Sequence, residues 1–213
     1  MVDYARLNRS LYDGKAAEVE SQIRAALAAG RTPREVLDEG LIAGMRVVGM
    51  DFTNNVLYVP EVLVAARAMK AGLAILKPLL GRHETGASRV GVVLLGTVRG
   101  DLHDIGKNLV GMMAEGAGFE VHDIGVDQSV QKFLAAAERC QPTIVAMSAL
   151  LTTTMSYMKT VIDGFRAAGL GHVKMAVGGA PVTQAFADEI GADGYAEHAP
   201  AAVELFHRLA ARP

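Results

Sequence analysis

The spacing of apolar residues changes once along this chain, near residue 90, and that change limits the possible folds more than any other feature. Before it, apolar positions recur at steps of three and four. Val62, Ala66, Met69, Leu73, Leu76 and Leu80 form one stripe, which predicts a helix starting near Pro60. Thr32-Pro33-Arg34-Glu35 sets an N-cap hydroxyl, a first-turn proline and a reciprocating glutamate in order, the sign of another helix start. Weaker helical patterns over 4–13 and 15–29 complete a four-helix bundle. Beyond residue 90 the apolar residues come in short continuous runs, at 90–96, 119–124, 143–149, 173–177 and more weakly 194–196. Helical stretches at 105–116, 130–140, 155–168, 183–190 and 201–211 separate them. Unalternated runs of strand length are buried on both faces. Their alternation with helices predicts a doubly wound, five-stranded parallel sheet with right-handed crossovers.

The two halves meet at Gly81-Arg82-His83-Glu84-Thr85-Gly86-Ala87-Ser88, a polar stretch that reads as a linker and sets expected domains at 1–84 and 89–213. Glycine follows the same division: residues 1–80 hold 6 of the 23 and residues 81–213 the other 17. With 51% apolar against 21% charged residues, intrinsic disorder is excluded. A net charge of −2 with both signs interspersed leaves no footprint for nucleic acid or an anionic membrane. No apolar run reaches the ~18 residues of a membrane span, and residues 1–20 are too charged for a secretory signal, so a cytoplasmic location is expected. The single cysteine, Cys140, cannot pair internally and fits a reducing compartment. Tryptophan is absent and aromatics are few, so the core is made of small residues, with room for something else to supply bulk.

In a doubly wound sheet, ligands sit beyond the carboxyl ends of the strands. The loop there after the first strand reads Gly96-Thr97-Val98-Arg99-Gly100-Asp101-Leu102-His103-Asp104-Ile105-Gly106-Lys107-Asn108. It is not a phosphate loop. Five residues rather than four separate Gly100 from Gly106, Asn108 stands where Ser or Thr is required, and Asp101 and Asp104 would repel a phosphate. A histidine two residues from an aspartate is a different device. One imidazole nitrogen ligates metal when the other is held as a donor, usually by a carboxylate, and Asp101 and His103 can form that pair. A lone histidine cannot hold bare zinc, which takes about four ligands. A metal at His103 would therefore arrive with its other ligands attached, as in a macrocycle. The loop reads equally as a helix N-cap with an incidental histidine. Two further loops bear on the choice: Ser148-Ala149-Leu150-Leu151-Thr152-Thr153-Thr154 and Val177-Gly178-Gly179-Ala180-Pro181. Singly they read as a helix cap and a turn. Together with the first loop they surround one crevice.

These three segments resemble the cobalamin-binding signature Asp-x-His-x-x-Gly … Ser-x-Leu … Gly-Gly, through Asp101, His103, Gly106, Ser148, Leu150, Gly178 and Gly179. Gly44-Met45-Arg46-Val47-Val48-Gly49-Met50-Asp51-Phe52 and Leu57-Tyr58-Val59-Pro60-Glu61-Val62 resemble the helical cap that precedes such domains, so the likeness covers nearly the whole chain. The chain is similar to the free-standing corrinoid proteins of methanol- and methylamine-type methyltransferase systems and to the cobalamin module of methionine synthase. The segments at 149–155 and 178–183 look closer to the first.

The resemblance implies a helical-bundle cap followed by a Rossmann-like (flavodoxin-like) α/β domain that binds cobalamin base-off, with His103 as lower axial ligand to cobalt. It implies that Asp101 bonds the other imidazole nitrogen and that Thr154 extends the relay, where methionine synthase has serine. Ser148, Leu150 and Thr152 would line the slot for the displaced nucleotide tail, Gly178 and Gly179 would make room for it, and Ala199 would lie near its far end. Gly100, Leu102 and Asp104 would contact the corrin or its amides. Phe52, Tyr58 and Val59 would belong to the cap over the upper face, with Asn55 in the left-handed turn conformation that asparagine tolerates. The implied function is methyl carriage, cobalamin cycling between methylcobalamin and cob(I)alamin, with no catalytic residue of the chain's own. The implied partners are a substrate-specific methyltransferase, a methyl-acceptor methyltransferase and a reductive reactivation protein.

Other readings are a module of a split methionine synthase and a cobalamin-dependent sensor, though nothing basic is left over to bind DNA. A mutase small subunit would need no methyl-protecting cap, and a flavodoxin-like signalling or nucleotide module would bind no cobalamin. Elsewhere, Cys140 reads as a packing residue. His83, His122, His172, His198 and His207 share no loop or metal spacing. Met45, Met50, Met112, Met113, Met147 and Met155 read as core filler, the first two close to the cap motif.

Overall fold

The structure, a computed structural model, describes residues 2–76, 78–79 and 90–211. The expected linker at 81–88, its His83, and Leu80 of the apolar stripe lie outside these residues. The chain forms two compact units that divide between residues 89 and 90, with residues 116–118 grouped with the first.

The first unit is helical: α1 (Tyr4–Tyr12), α2 (Ala16–Ala28), α3 (Pro33–Glu35), a π-helical stretch (Val36–Ile42), α4 (Ala43–Thr53) and α5 (Val59–Leu76). The segment from α3 to α4 is continuous, so the unit has the four expected helical rods. Thr32 Oγ1 accepts from the Glu35 amide at 3.1 Å, while the Glu35 carboxylate pairs with Arg31 at 3.2 Å. The cap therefore forms, with glutamate turned to a cation. Where the helix widens into the π turn, the Asn8 side-chain amide, oriented nitrogen-inward, donates to the Glu39 carbonyl at 3.1 Å and to the Gly40 carbonyl. Val62, Ala66, Met69, Leu73 and Leu76 are all buried, as the stripe requires.

The second unit runs β1 (Val92–Thr97), α6 (Ile105–Gly116), β2 (Glu120–Asp123), α7 (Val130–Cys140), β3 (Ile144–Ser148), α8 (Thr152–Met155), α9 (Tyr157–Ala167), β4 (Lys174–Gly178), α10 (Gln184–Ile190), β5 (Gly194–Ala196) and α11 (Ala199–Ala210). All pairings are parallel, in the order β2-β1-β3-β4-β5. That order reverses between β1 and β3, the switch point where doubly wound sheets hold ligands. On one face Leu94, Val98 and Val145 pack with Phe133 of α7 and Phe165 of α9. On the other, Phe119 meets Phe206 of α11 edge-on at 5.9 Å. Burial on both faces is why the strands read as continuous apolar runs.

The helix expected over 155–168 is α9; a short helix not expected from the sequence, α8, precedes it and is separated from it at Ser156. Met50, expected in the core, is 56% exposed.

Candidate functional site

The register of the sheet lines up Thr97, Ser148, Gly178 and Ala196 across the carboxyl ends of β1, β3, β4 and β5. The loop that leaves β1 at this edge carries Asp101 and His103. Asp101 is fully buried and His103 half exposed, although they are two residues apart.

Every acceptor position of the Asp101 carboxylate is used. Oδ1 takes the His103 amide at 3.1 Å and lies 2.7 Å from His103 Nδ1. Oδ2 accepts from Leu150 N at 2.7 Å, Leu151 N at 3.3 Å and Thr154 Oγ1 at 2.7 Å. Burial alone would raise the Asp101 pKa, but donation from Thr154, Leu150 and His103 outweighs it and holds the carboxyl far below its ordinary range. An ionised Asp101 accepts only, so the proton between the pair sits on His103 Nδ1. Nε2 then carries the lone pair, with no partner among the described residues. Thr97, buried at the end of β1, fixes the same loop by donating its hydroxyl to the His103 carbonyl at 2.9 Å.

The loops that hold this pair carry exposed apolar side chains. Leu102 and Ile105, flanking His103, are 72% and 73% exposed, and Leu150 and Leu151 are 43% exposed each. Large aliphatic side chains exposed on the loops beside a ligating group gain by being covered. Gly106 has nothing within 4 Å of where a Cβ would stand, so space lies open over the start of α6. Ser148 Oγ and the Thr152 hydroxyl have no hydrogen-bond partner among the described residues. Among those residues, too, no group of three or more His, Cys, Asp or Glu side chains could hold a metal ion. A single imidazole, with no second ligand in reach among the described residues, fits a metal carried in a macrocycle and does not fit a bare cation.

Not every residue expected at the site is drawn to it in the same way. Gly100 takes a φ of +82° that favours glycine, and Asp104 bonds Asn108 along α6 at 3.0 Å. Gly178 and Gly179 are required by the protein itself. A Cβ at Gly178 would stand 2.8 Å from the Ala196 carbonyl oxygen, and one at Gly179 1.9 Å from that of Ala149. Ala199 is buried at the start of α11. In the helical unit, Phe52 lies in the last turn of α4, Tyr58 is 64% exposed, and Asn55 takes the left-handed φ of 58° expected of it. Thr97 and Asp127 went unnoticed in the sequence, since a threonine in a strand and an aspartate in a glycine-containing loop carry no signal of their own. Of the other described histidines, His122 lies against Glu120 at 2.8 Å, His198 caps α11, and His207 lies against Phe119 with ring centroids 5.0 Å apart.

Comparison with known proteins agrees with this chemistry. Residues 91–204 and residues 4–77 each match a family described as a B12 binding domain. The chain is 48% identical to the dimethylamine corrinoid protein of Methanosarcina barkeri, over 84% of each chain. It is 44% identical to trimethylamine corrinoid protein 1 of Methanosarcina mazei, over 88% of this chain and 86% of that one. Among solved structures it resembles a chain of the methanol:cobalamin methyltransferase complex MtaBC from M. barkeri, with a TM-score of 0.87 at 31% identity, covering 97% of this chain and 79% of that one. A cobalamin-binding protein from Desulfitobacterium hafniense matches with a TM-score of 0.80 at 29% identity, over 98% and 99% of the two chains. With its doubly wound sheet and an imidazole prepared at the switch point, the chain belongs to the B12-binding corrinoid proteins.

Proposed function

We propose that this chain binds cobalamin with His103 as lower ligand and carries a methyl group on it between two methyltransferases. When bound, cobalamin supplies a cobalt centre that accepts a methyl group as a cation equivalent and releases it to an acceptor. The protein's part is positional. Asp101 keeps the Nδ1 proton in place, so that Nε2 stays a neutral donor, and a carboxylate behind the imidazole raises its basicity. Thr154 has one hydroxyl proton and two acceptors in reach, Asp101 Oδ2 at 2.7 Å and the Leu151 carbonyl at 3.0 Å. Turning that proton from one to the other changes the charge felt by His103, and hence the strength of its hold on a metal.

In this reading Leu102, Ile105 and Leu150 cover one face of the ring system, while Gly100, Asp104 and Gly106 meet it through the loop. Ser148 and Thr152 offer hydroxyls to the nucleotide tail beside Gly178, Gly179 and Ala199. Residues 89–213 act as the carrier domain and residues 1–84 as the cap domain, to which Phe52, Tyr58 and Val59 belong. The partners are a substrate-specific methyltransferase, an acceptor methyltransferase and a reductive reactivation protein. The named relatives make methylamine systems the first to test. No helix among the described residues is long and apolar enough to cross a membrane, which suits a cytoplasmic carrier.

The observation that carries the reading is the ionised Asp101 behind a His103 whose second nitrogen is free. Its test is the spectrum of the purified protein loaded with cobalamin. A base-off form with histidine nitrogen on cobalt is expected, and its loss in His103→Ala. A spectrum unchanged by that substitution would sink the proposal.

A further inference from the structure

Asp101 is held from two sides. Its side chain is gripped by the loop after β3; its backbone is gripped by the loop after β2, through Asp127. The Asp127 amide donates to the Asp101 carbonyl at 3.0 Å, and Asp127 Oδ1 accepts from the Gly100 amide at 2.8 Å. One residue thus pins Asp101, a member of the pair, and Gly100 just before it. Asp127 makes this double contact by adopting a φ of 53°, a conformation that few residues other than Gly, Asn and Asp enter readily. The loop that presents it is anchored along the whole edge. Thr97 N donates to the Gly125 carbonyl and Gln128 N to the Thr97 carbonyl, both at 2.9 Å, and Val98 bridges Gln128 in parallel register.

We propose that Asp127 is a positioning residue for the cofactor ligand. It fixes the backbone at Gly100 and Asp101, so that the Asp101 carboxylate, and through it the His103 ring, stays aligned. This inference rests on the reading of His103 given above. The carboxylate and the left-handed backbone contribute separately, and substitution divides them. Asp127→Gly keeps the backbone conformation at no steric cost and removes the acceptor for Gly100. Asp127→Asn keeps both the conformation and an acceptor oxygen.

The experiment uses the full chain loaded with cob(II)alamin. 15N-imidazole is titrated in, and the nitrogen hyperfine pattern on cobalt reports replacement of the 14N of His103 by the added 15N. Losing one hydrogen bond to a charged acceptor corresponds to roughly a tenfold change in ligation. Asp127→Gly is therefore expected to need roughly tenfold less imidazole than wild type, and Asp127→Asn the same amount as wild type. Equal titrations of Asp127→Gly and wild type would overturn the inference. So would an Asp127→Asn as weak as Asp127→Gly. A second measurement needs no variant and no cofactor. In the cofactor-free wild-type chain the Gly100 amide should be protected from hydrogen exchange, and exchange at the rate of an unstructured amide would overturn the proposal. Wild type that shows no histidine nitrogen on cobalt would instead overturn the reading of the site itself.

Discussion

At the scale of single residues the site turns on one buried charge. Asp101 is ionised because its donors outweigh burial, so its folded pKa lies below the unfolded value of about 3.9. A depressed carboxylate pKa stabilises the fold at all pH above the unfolded value, and that contribution is lost as pH falls through the folded one. The cofactor-free Asp101→Asn protein should therefore unfold about 2 kcal/mol more easily than wild type at neutral pH. The difference should shrink once the pH drops below about 4, as denaturant titrations at several pH values would read out. Thr154 tests the same charge from the other side. Thr154→Ser keeps the 2.7 Å donor and should leave stability near wild type, whereas Thr154→Val removes it and should cost about 1–2 kcal/mol in the same titration. The Asp101–His103 pair was legible in the sequence because the partners are two residues apart. Thr154, at a separation of 53, entered only through the resemblance, and Asp127 did not enter at all. Contacts set by strand register leave no trace in local spacing.

At the scale of elements the glycines of the second unit divide into two kinds. Gly179 has a φ of 124° and the Ala149 carbonyl 1.9 Å from its missing Cβ, a backbone atom that cannot swing away. Gly179→Ala should cost about 3 kcal/mol or more, enough to lower the melting temperature of the cofactor-free protein markedly. Gly106, in the first turn of α6 with nothing near its Cβ position, should accept alanine with a gain of about 0.5–1 kcal/mol. A Gly106→Ala protein that melts like wild type or higher yet binds cobalamin more weakly would assign that glycine to the ligand. Gly96, whose Cβ would meet Phe133 at 2.8 Å, belongs with Gly179. The sequence reading gave the second half's glycines to an incoming cofactor; several of them serve close packing between the protein's own elements. Strand and helix existence was readable because both faces of the sheet are covered and each helix buries one stripe. The short helix α8 was not, since a run of threonines after a strand reads as a cap for the helix that follows.

At the scale of the whole molecule, exposed apolar surface points to a chain made to hold something. Leu102, Ile105, Leu150 and Leu151 in the second unit, and Met50, Val56 and Tyr58 in the first, are costly to leave in water unless a ligand or partner covers them. A ligand that binds only the folded chain adds RT ln(1 + [L]/Kd), about 2.7 kcal/mol at a hundredfold excess over Kd. Cobalamin should therefore raise the melting temperature of wild type, and raise it much less in His103→Ala; equal melting temperatures with and without cobalamin would contradict this. By itself the sequence determined the fold class, the change from helical bundle to parallel sheet, and the aspartate–histidine pair on the first loop. Each is written in neighbouring residues, as period, cap or short spacing. Only the tertiary structure decided which groups hold the Asp101 charge, which glycines the backbone needs, and that Asp127 reaches Gly100 and Asp101. Those depend on parallel strands bringing distant loops to one edge, and their register is fixed by packing across the sheet.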